Sequence, residues 1–245
     1  MGDIVTMDDL TNQDIVAVLD DAERLVPVAR GDVYLPLLQG KVLANMFFEN
    51  STRTRMSFET AMKRLGGSVL NFTSIGTSVA KGETLYDTMQ MIDGYADVAA
   101  IRHPRQGAAQ YSADAVEIPI LNAGDGAGNH PTQTMLDLFT IRQAHGTLEG
   151  LNVVLVGDLR YGRTVHSLSH ALVRFGAKLT LVSPSTLKMP VEIVSDLREH
   201  GSEIMETESL EDQIAGADVI YVTRIQKERF PDEDEYAKVA GIYKI

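Results

Sequence analysis

The run Ser51-Thr52-Arg53-Thr54-Arg55 sets three hydroxyls and two guanidiniums side by side. It follows an apolar, strand-like segment, Val42 to Phe48, and opens a helical one. Phe58, Ala61, Met62 and Leu65 give the stretch from Met56 to Leu65 its helical spacing, and Gly66-Gly67 closes it. A helix start offers unpaired N–H groups and the positive end of the dipole, hydroxyls add donors, and arginine grips oxyanions with two parallel bonds. The chemistry expected of this run is a phosphate cradle. Taken singly, each residue reads as readily as a helix cap or a solvated arginine; five in succession are harder to read that way.

Further basic and amide groups follow other strand-like segments. Arg102-His103 follows Val98 to Ile101, and the stretch Asn122 to Gln133, with Gly124, Gly126, Gly128, His130 and Gln133, follows Ile118 to Leu121. Gly157 to Arg163 follows Val153 to Val156, and Thr223-Arg224-Ile225-Gln226 follows Val219 to Val222. The carboxyl ends of parallel strands are where α/β sheets bind ligands. Lys81 stands apart, in the polar, small-residue stretch Thr73 to Gly82, which has no helical or strand pattern and reads as a loop able to reach away from its own domain.

The elements that must position these groups alternate along the chain. Thr11 caps a helix carrying Ile15, Val18, Leu19, Ala22 and Leu25, and Val69 to Phe72 reads as a further strand. After Gly150 come strands at Val153 to Val156, Leu179 to Val182, Glu203 to Met205 and Val219 to Val222. Helices at Val165 to Phe175, Val191 to His200 and Leu210 to Ala215 lie between them, and Thr132 to His145 is the joining helix. This predicts an α/β protein of two domains, each a parallel sheet flanked by helices. Their expected bounds are 1–135, a connecting helix at 136–149, and 150–245. With 245 residues, 44% of them hydrophobic, the chain can bury a substantial core. Its net charge of −12, from 22 basic and 34 acidic residues, excludes nonspecific binding to nucleic acid or an anionic membrane. The absence of cysteine excludes disulfides, thiol nucleophiles and cysteine-ligated zinc within it, and points to the cytoplasm.

On these strings the chain closely resembles the aspartate carbamoyltransferase catalytic chains. The resemblance is carried by Phe47-Phe48-Glu49-Asn50-Ser51-Thr52-Arg53-Thr54-Arg55, Lys81-Gly82-Glu83-Thr84, Arg102-His103-Pro104 and Asn122-Ala123-Gly124-Asp125-Gly126. It continues through His130-Pro131-Thr132-Gln133-Thr134, Gly157-Asp158-Leu159, Tyr161 to Ser167, and Thr223 to Arg229. The Ser-Thr-Arg-Thr-Arg and His-Pro-x-Gln elements are shared with the wider transcarbamoylase family; Lys-Gly-Glu and Arg-x-Gln-Lys-Glu-Arg resemble its aspartate branch.

The resemblance implies transfer of a carbamoyl group from carbamoyl phosphate to the amine of L-aspartate, in pyrimidine synthesis, with no metal or other cofactor. It implies that Ser51, Thr52, Arg53 and Thr54 hold the phosphate and that Arg102 bridges phosphate and carbonyl. Thr54, Arg102 and His130 would polarise the carbonyl oxygen, and Gln133 would hold the carbamoyl NH2. Arg163 and Arg224 would each clamp an aspartate carboxylate, assisted by Gln226. Lys81, with Ser78 or Thr77, would enter a neighbouring subunit's site, so that a homotrimer shares its active sites. Some family members also bind a regulatory chain, which this chain alone does not decide.

Family members continue past the point corresponding to Ile245, through a His-Pro-Leu-Pro-Arg loop and a final helix, so a form ending there is expected to turn over slowly. Three rival readings differ in class. An NAD-dependent enzyme suits two α/β units, but Gly157 to Arg163 lacks G-x-G-x-x-G and no acidic residue ends the next strand. Ornithine carbamoylation lacks its pocket signatures, and a noncatalytic assembly subunit is opposed by the intact site positions.

Overall fold

The computed structural model describes residues 2–73, 81–126, 128–225, 236 and 242–243. The chain divides into two compact units, Met1–Met135 and Leu136–Ile245. In the first, strands β1 (Val42–Phe47), β2 (Ser68–Thr73), β3 (Val98–His103) and β4 (Ile120–Asp125) form a sheet in the order β2-β1-β3-β4. In the second, β5 (Asn152–Val156), β6 (Lys178–Val182), β7 (Ile204–Thr207) and β8 (Val219–Val222) form a sheet in the order β7-β6-β5-β8. Every pairing is parallel, as the sequence predicts.

The helices are α1 (Asn12–Arg30), α2 (Thr52–Arg64), α3 (Leu85–Asp93), α4 (Ala108–Ala113) and α5 (Pro131–His145), then α6 (Arg163–Val173), α7 (Val191–Glu199) and α8 (Glu211–Ile214). A parallel sheet needs cover on both faces, because its crossovers place helices there. In the first unit Ala44, Met46, Ala99 and Ile101 pack with Met89 and Ile92 of α3 and Ala109 of α4. Leu43 and Ala100, one residue out of phase, pack with Phe58 and Met62 of α2. The period of two thus sends alternate residues of β1 and β3 to opposite helical layers. In the second unit α6 and α7 pack on each other and on β6 and β7. Val154, Val156 and Val182 form a further core with Leu210 and Tyr243.

The N-terminal residues strap the free side of β4. Ile4 donates to the Ile120 carbonyl at 2.8 Å and its own carbonyl accepts from Asn122 N–H at 2.9 Å. The Asp3 carboxylate accepts from Ile120 N–H at 2.7 Å, and the buried Asn122 amide donates to Val5 at 2.9 Å.

Several expected boundaries shift. Helix α2 starts at Thr52 and not at Met56, so the hydroxyl and arginine run is its first turn. Strand β4 lies later than Ile118 to Leu121: Pro119 has no N–H to give a ladder, and Asn122 to Asp125, though polar, extend the strand beside β3. Arg102 and His103 end β3 instead of following it, and β7 runs to Thr207 in place of Met205.

Candidate active site

In each unit the chain leaves its first strand for a neighbour on one side and later returns to pair on the other. The first unit's strand order therefore reverses between β1 and β3, and the second unit's between β5 and β8. Such a reversal opens a crevice at the carboxyl ends of the two strands. Ser51 to Arg55 follow β1 and Arg102 ends β3, while Arg163 follows β5 and Arg224 follows β8.

In the first unit, Phe48 N–H donates to the Arg102 carbonyl at 2.8 Å, which fixes the exit of β1 beside the end of β3. Ser51 then occupies the cap position of α2 in extended conformation, yet its hydroxyl makes no capping bond. The contrast with the unit's other hydroxyl caps is direct. Thr11 accepts from Asp14 N–H at 3.1 Å and Thr84 from Asp87 N–H at 3.2 Å. A hydroxyl cap normally satisfies one of the first orphan N–H groups. At α2 the hydroxyl and the helix-end donors stay available to an anion. Thr52 and Arg53 are exposed, while Ser51 and Thr54 are half-buried.

The Arg102 side chain is only 12% exposed. Its Nη1 donates to the Ala123 carbonyl at 3.3 Å, and its Nε lies 3.5 Å from Glu49 Oε2. Glu49 belongs to the string that carries Ser51 to Arg55, but only the structure shows that it pairs with Arg102. Next to Arg102, the His103 ring sits 5.0 Å from the Phe48 ring, and its Nδ1 accepts from Arg105 N–H at 3.0 Å. Burial, and secondarily the Arg105 charge, hold this imidazole below its ordinary pKa.

His130 and Gln133 are set by the loop that follows β4. Asp125, almost fully buried, accepts from Gly107 N–H at 2.8 Å and from Asn129 N–H at 2.6 Å, tying that loop to the start of α4. Gly126 makes it possible: φ is 55°, and a Cβ there would stand 2.5 Å from the Pro104 carbonyl oxygen. His130 is buried, with Nδ1 3.3 Å from the Thr132 hydroxyl, and its carbonyl accepts from Gln133 and Thr134 N–H at 3.0 and 3.2 Å. His130 and Gln133 therefore share the first turn of α5. Lys81 is exposed and precedes α3. Ser78 and Thr77 lie outside the described residues.

In the second unit, Gly157 leaves β5 with φ 114°, where a Cβ would stand 2.5 Å from the Thr223 carbonyl oxygen. This close approach lets Thr223 cross-link the strand ends. Its N–H donates to Val156 at 2.7 Å, and its hydroxyl reaches the Val156 and Asp158 carbonyls at 3.2 and 3.3 Å. The buried Asp158 accepts from Arg160 and Tyr161 N–H at 3.2 and 2.8 Å, shaping the turn that delivers Arg163 to the start of α6. Arg163 is half-buried and Arg224 exposed. Gln226 lies outside the described residues. The Tyr221 hydroxyl donates to Asp137 Oδ2 at 3.1 Å, and burial, then the Asp137 charge, push its pKa up to about 12. Asn45, Asp125, Asp158 and Tyr221 were not singled out from sequence, because an isolated polar residue in a strand or turn carries no periodic signal.

Among the described residues no group of three histidine, aspartate or glutamate side chains could hold a metal ion, and no helix is long and apolar enough to cross a membrane. The donor set is cationic and neutral, suited to anionic ligands.

Comparison with known proteins matches the two parts of the chain to two domains of one family. A family model for the aspartate/ornithine carbamoyltransferase carbamoyl-P binding domain matches residues 2–143, and one for the Asp/Orn binding domain of the same family matches residues 149–245. The chain is 54% identical over 243 residues to the aspartate carbamoyltransferase catalytic subunit of Methanothermobacter thermautotrophicus, covering 99% of this chain and 78% of that one. It superposes on the catalytic subunit of M. jannaschii aspartate transcarbamoylase with a TM-score of 0.93 at 50% identity, covering 100% of this chain and 81% of that one. The Trypanosoma cruzi aspartate transcarbamoylase in complex with carbamoyl phosphate and aspartate gives a TM-score of 0.91 at 42% identity, covering 98% and 77%. The chain belongs to the aspartate/ornithine carbamoyltransferase family.

Proposed function

We infer that the protein is an aspartate carbamoyltransferase, moving the carbamoyl group of carbamoyl phosphate onto the amine of L-aspartate to give N-carbamoyl-L-aspartate and phosphate. Support comes from the relatives' shared activity. The observation that ties it to this chain is the collection of oxyanion-binding groups at the strand-order reversal of each sheet, hydroxyls with arginines in one and arginines in the other.

The amine attacks the carbonyl carbon, a C–N bond forms, and the bond from that carbon to the bridging oxygen breaks, its electron pair leaving on phosphate. The amine proton passes to a phosphate oxygen. Charge grows on the carbonyl oxygen and on the leaving phosphate, so preorganised donors at those two places supply the rate. In this reading Ser51, Thr52, Arg53 and Thr54 hold the phosphate, and Arg102 spans phosphate and carbonyl. Thr54 and His130 join Arg102 on the carbonyl oxygen, while Gln133 holds the NH2. Arg163, Arg224 and Gln226 take the aspartate carboxylates, for which a planar guanidinium is the matching shape. A cytoplasmic homotrimer completes the reading, with Lys81 entering the neighbouring subunit's site.

Two assays test it. The purified protein should carbamoylate L-aspartate and leave L-ornithine untouched; activity on ornithine alone would overturn the substrate assignment. Lys81→Ala and His130→Ala proteins should each be nearly inactive, and mixing after dissociation should restore activity through subunit pairs that combine an intact loop with an intact site. Mixtures as inactive as their parents would remove Lys81 from the shared site.

A further inference from the structure

The sequence of β1 is apolar but for one residue, Asn45, whose side chain is fully buried. A buried amide costs stability unless it is bonded, and an apolar residue would serve the sheet at least as well. Asn45 lies in phase with Leu43, on the face covered by α2. Its Nδ2 donates to the Arg55 carbonyl at 3.1 Å and to Asn71 Oδ1 at 3.1 Å. Asn71 is its register partner on β2. From there Asn71 Nδ2 donates to Glu59 Oε2 at 3.0 Å, and Glu59 Oε1 accepts from Lys63 Nζ at 2.6 Å. The chain of bonds therefore starts in the middle of β1, crosses to β2 and returns to α2 one turn after Arg55.

We propose that Asn45, with Asn71 and Glu59, is a positioning bracket that fixes the first turn of α2 against the sheet so that its donors meet an anion in register. Two independent features converge on this. The Ser51 hydroxyl makes no cap, which leaves the end of α2 open to fraying. The bracket ties the carbonyl of Arg55, the residue whose N–H closes the first turn on Ser51 at 3.3 Å, to the centre of a strand. An end left uncapped for a ligand is thus held from behind. Asn45 touches no substrate; it acts through the backbone of α2. The inference rests on the reading of Ser51 to Arg55 as the phosphate site.

The test compares three single substitutions, with inorganic phosphate as the calorimetric probe and carbamoyl phosphate and aspartate KM values as the kinetic one. Asn45→Leu keeps the branched shape, at somewhat larger volume, and deletes both bonds. It should weaken phosphate and raise the carbamoyl phosphate KM about tenfold, the size of one lost hydrogen bond, and leave the aspartate KM at saturating carbamoyl phosphate unchanged. Glu59→Gln, on the half-buried outer end of the bracket, should move the same constants in the same direction by about threefold or less, without threatening the fold. Phosphate affinity unchanged in Glu59→Gln and also in a folded Asn45→Leu, or a loss shared equally by aspartate, would overturn the bracket. Arg53→Ala separates the two levels: if it fails to weaken phosphate, the cradle itself is wrong, whereas if it weakens phosphate and the other two do not, only the bracket falls.

Discussion

In the first unit the groups flanking the strand-order reversal come mainly from the opening turn of a helix. In the second they come from a tight turn and a strand end. α2 offers an uncapped end with two hydroxyls and a guanidinium in its first turn, and Arg102 beside it is almost buried and paired with Glu49. The second unit offers Arg163 at the start of α6 and the exposed Arg224 just past β8, with Gly157, Asp158 and Thr223 drawing the strand ends together. The difference follows the ligands proposed. A phosphoryl group has oxygens on several sides and calls for donors converging from a helix end. A dicarboxylate has two planar groups apart from each other, so two forked guanidiniums on rigid stems suffice. On the proposed reading, one fold plan serves two anions by changing what is mounted at the same topological place.

The sharpest way to break this comparison is Arg53→Ala. If the first unit is the phosphate half, losing this guanidinium should cost about 2–4 kcal/mol of transition-state stabilisation, a hundredfold or more in rate. The melting temperature should hardly move, because Arg53 is exposed. Near-normal turnover at saturating carbamoyl phosphate would remove the assignment.

Gly157→Ala probes the second unit's scaffold. The added Cβ would meet the Thr223 oxygen at 2.5 Å in a conformation that L residues rarely adopt. Strain of about 1–3 kcal/mol should lower stability and raise the aspartate KM, with phosphate binding unaltered by calorimetry. A change confined to phosphate would contradict the division of labour.

Arg224→Lys keeps the charge and loses the fork, and aspartate affinity should fall about tenfold while carbamoyl phosphate affinity stays as it was. Equal weakening of both ligands would merge the two halves into one site function.

The smallest effect concerns pH. His103 has a folded-state pKa below its ordinary value of 6.5, so protons bind the unfolded chain more readily. Its contribution to stability is present above 6.5 and is lost as pH falls from there through the lower folded value. Unfolding midpoints should therefore decline less between neutral and mildly acidic pH in His103→Gln than in the parent; identical slopes would show that the ring's burial costs nothing on protonation.

Much of the architecture was legible because it is written in apolar periods. The runs in β1, β5 and β6 and the spacing in α1 and α6 are burial signals, and burial is what those elements do. The misplaced limits share the opposite property. The first turn of α2 carries no apolar residue, so periodicity began only at Phe58, and the turn's helicity comes from its position after an extended Ser51. The apolar pattern ends before β4 does, because Asn122 and Asp125 are polar, although both are buried and bonded. The proposed site residues stand out as strings, whereas nothing in the sequence assigns a role to Glu49, Asn45 or Asp125. Their partners lie 10 to 53 residues away or in the backbone, and only the fold brings those together.

The strap of Asp3 to Val5 on β4 carries a consequence for the order of events on the ribosome. Its partners, Ile120 and Asn122, are separated from it by 117 residues. At about 5–20 residues per second, the strap waits on the order of ten seconds for the strand that receives it. During that interval the helix capped by Thr11 can form locally, whereas the strand-order reversal beside the cradle needs β3 and the seal along β4 comes last. The first unit therefore closes as a ring in sequence, beginning and ending at the same edge. A pause in translation after β4 has cleared the ribosome would give that ring time to shut before the second sheet begins to compete for strands.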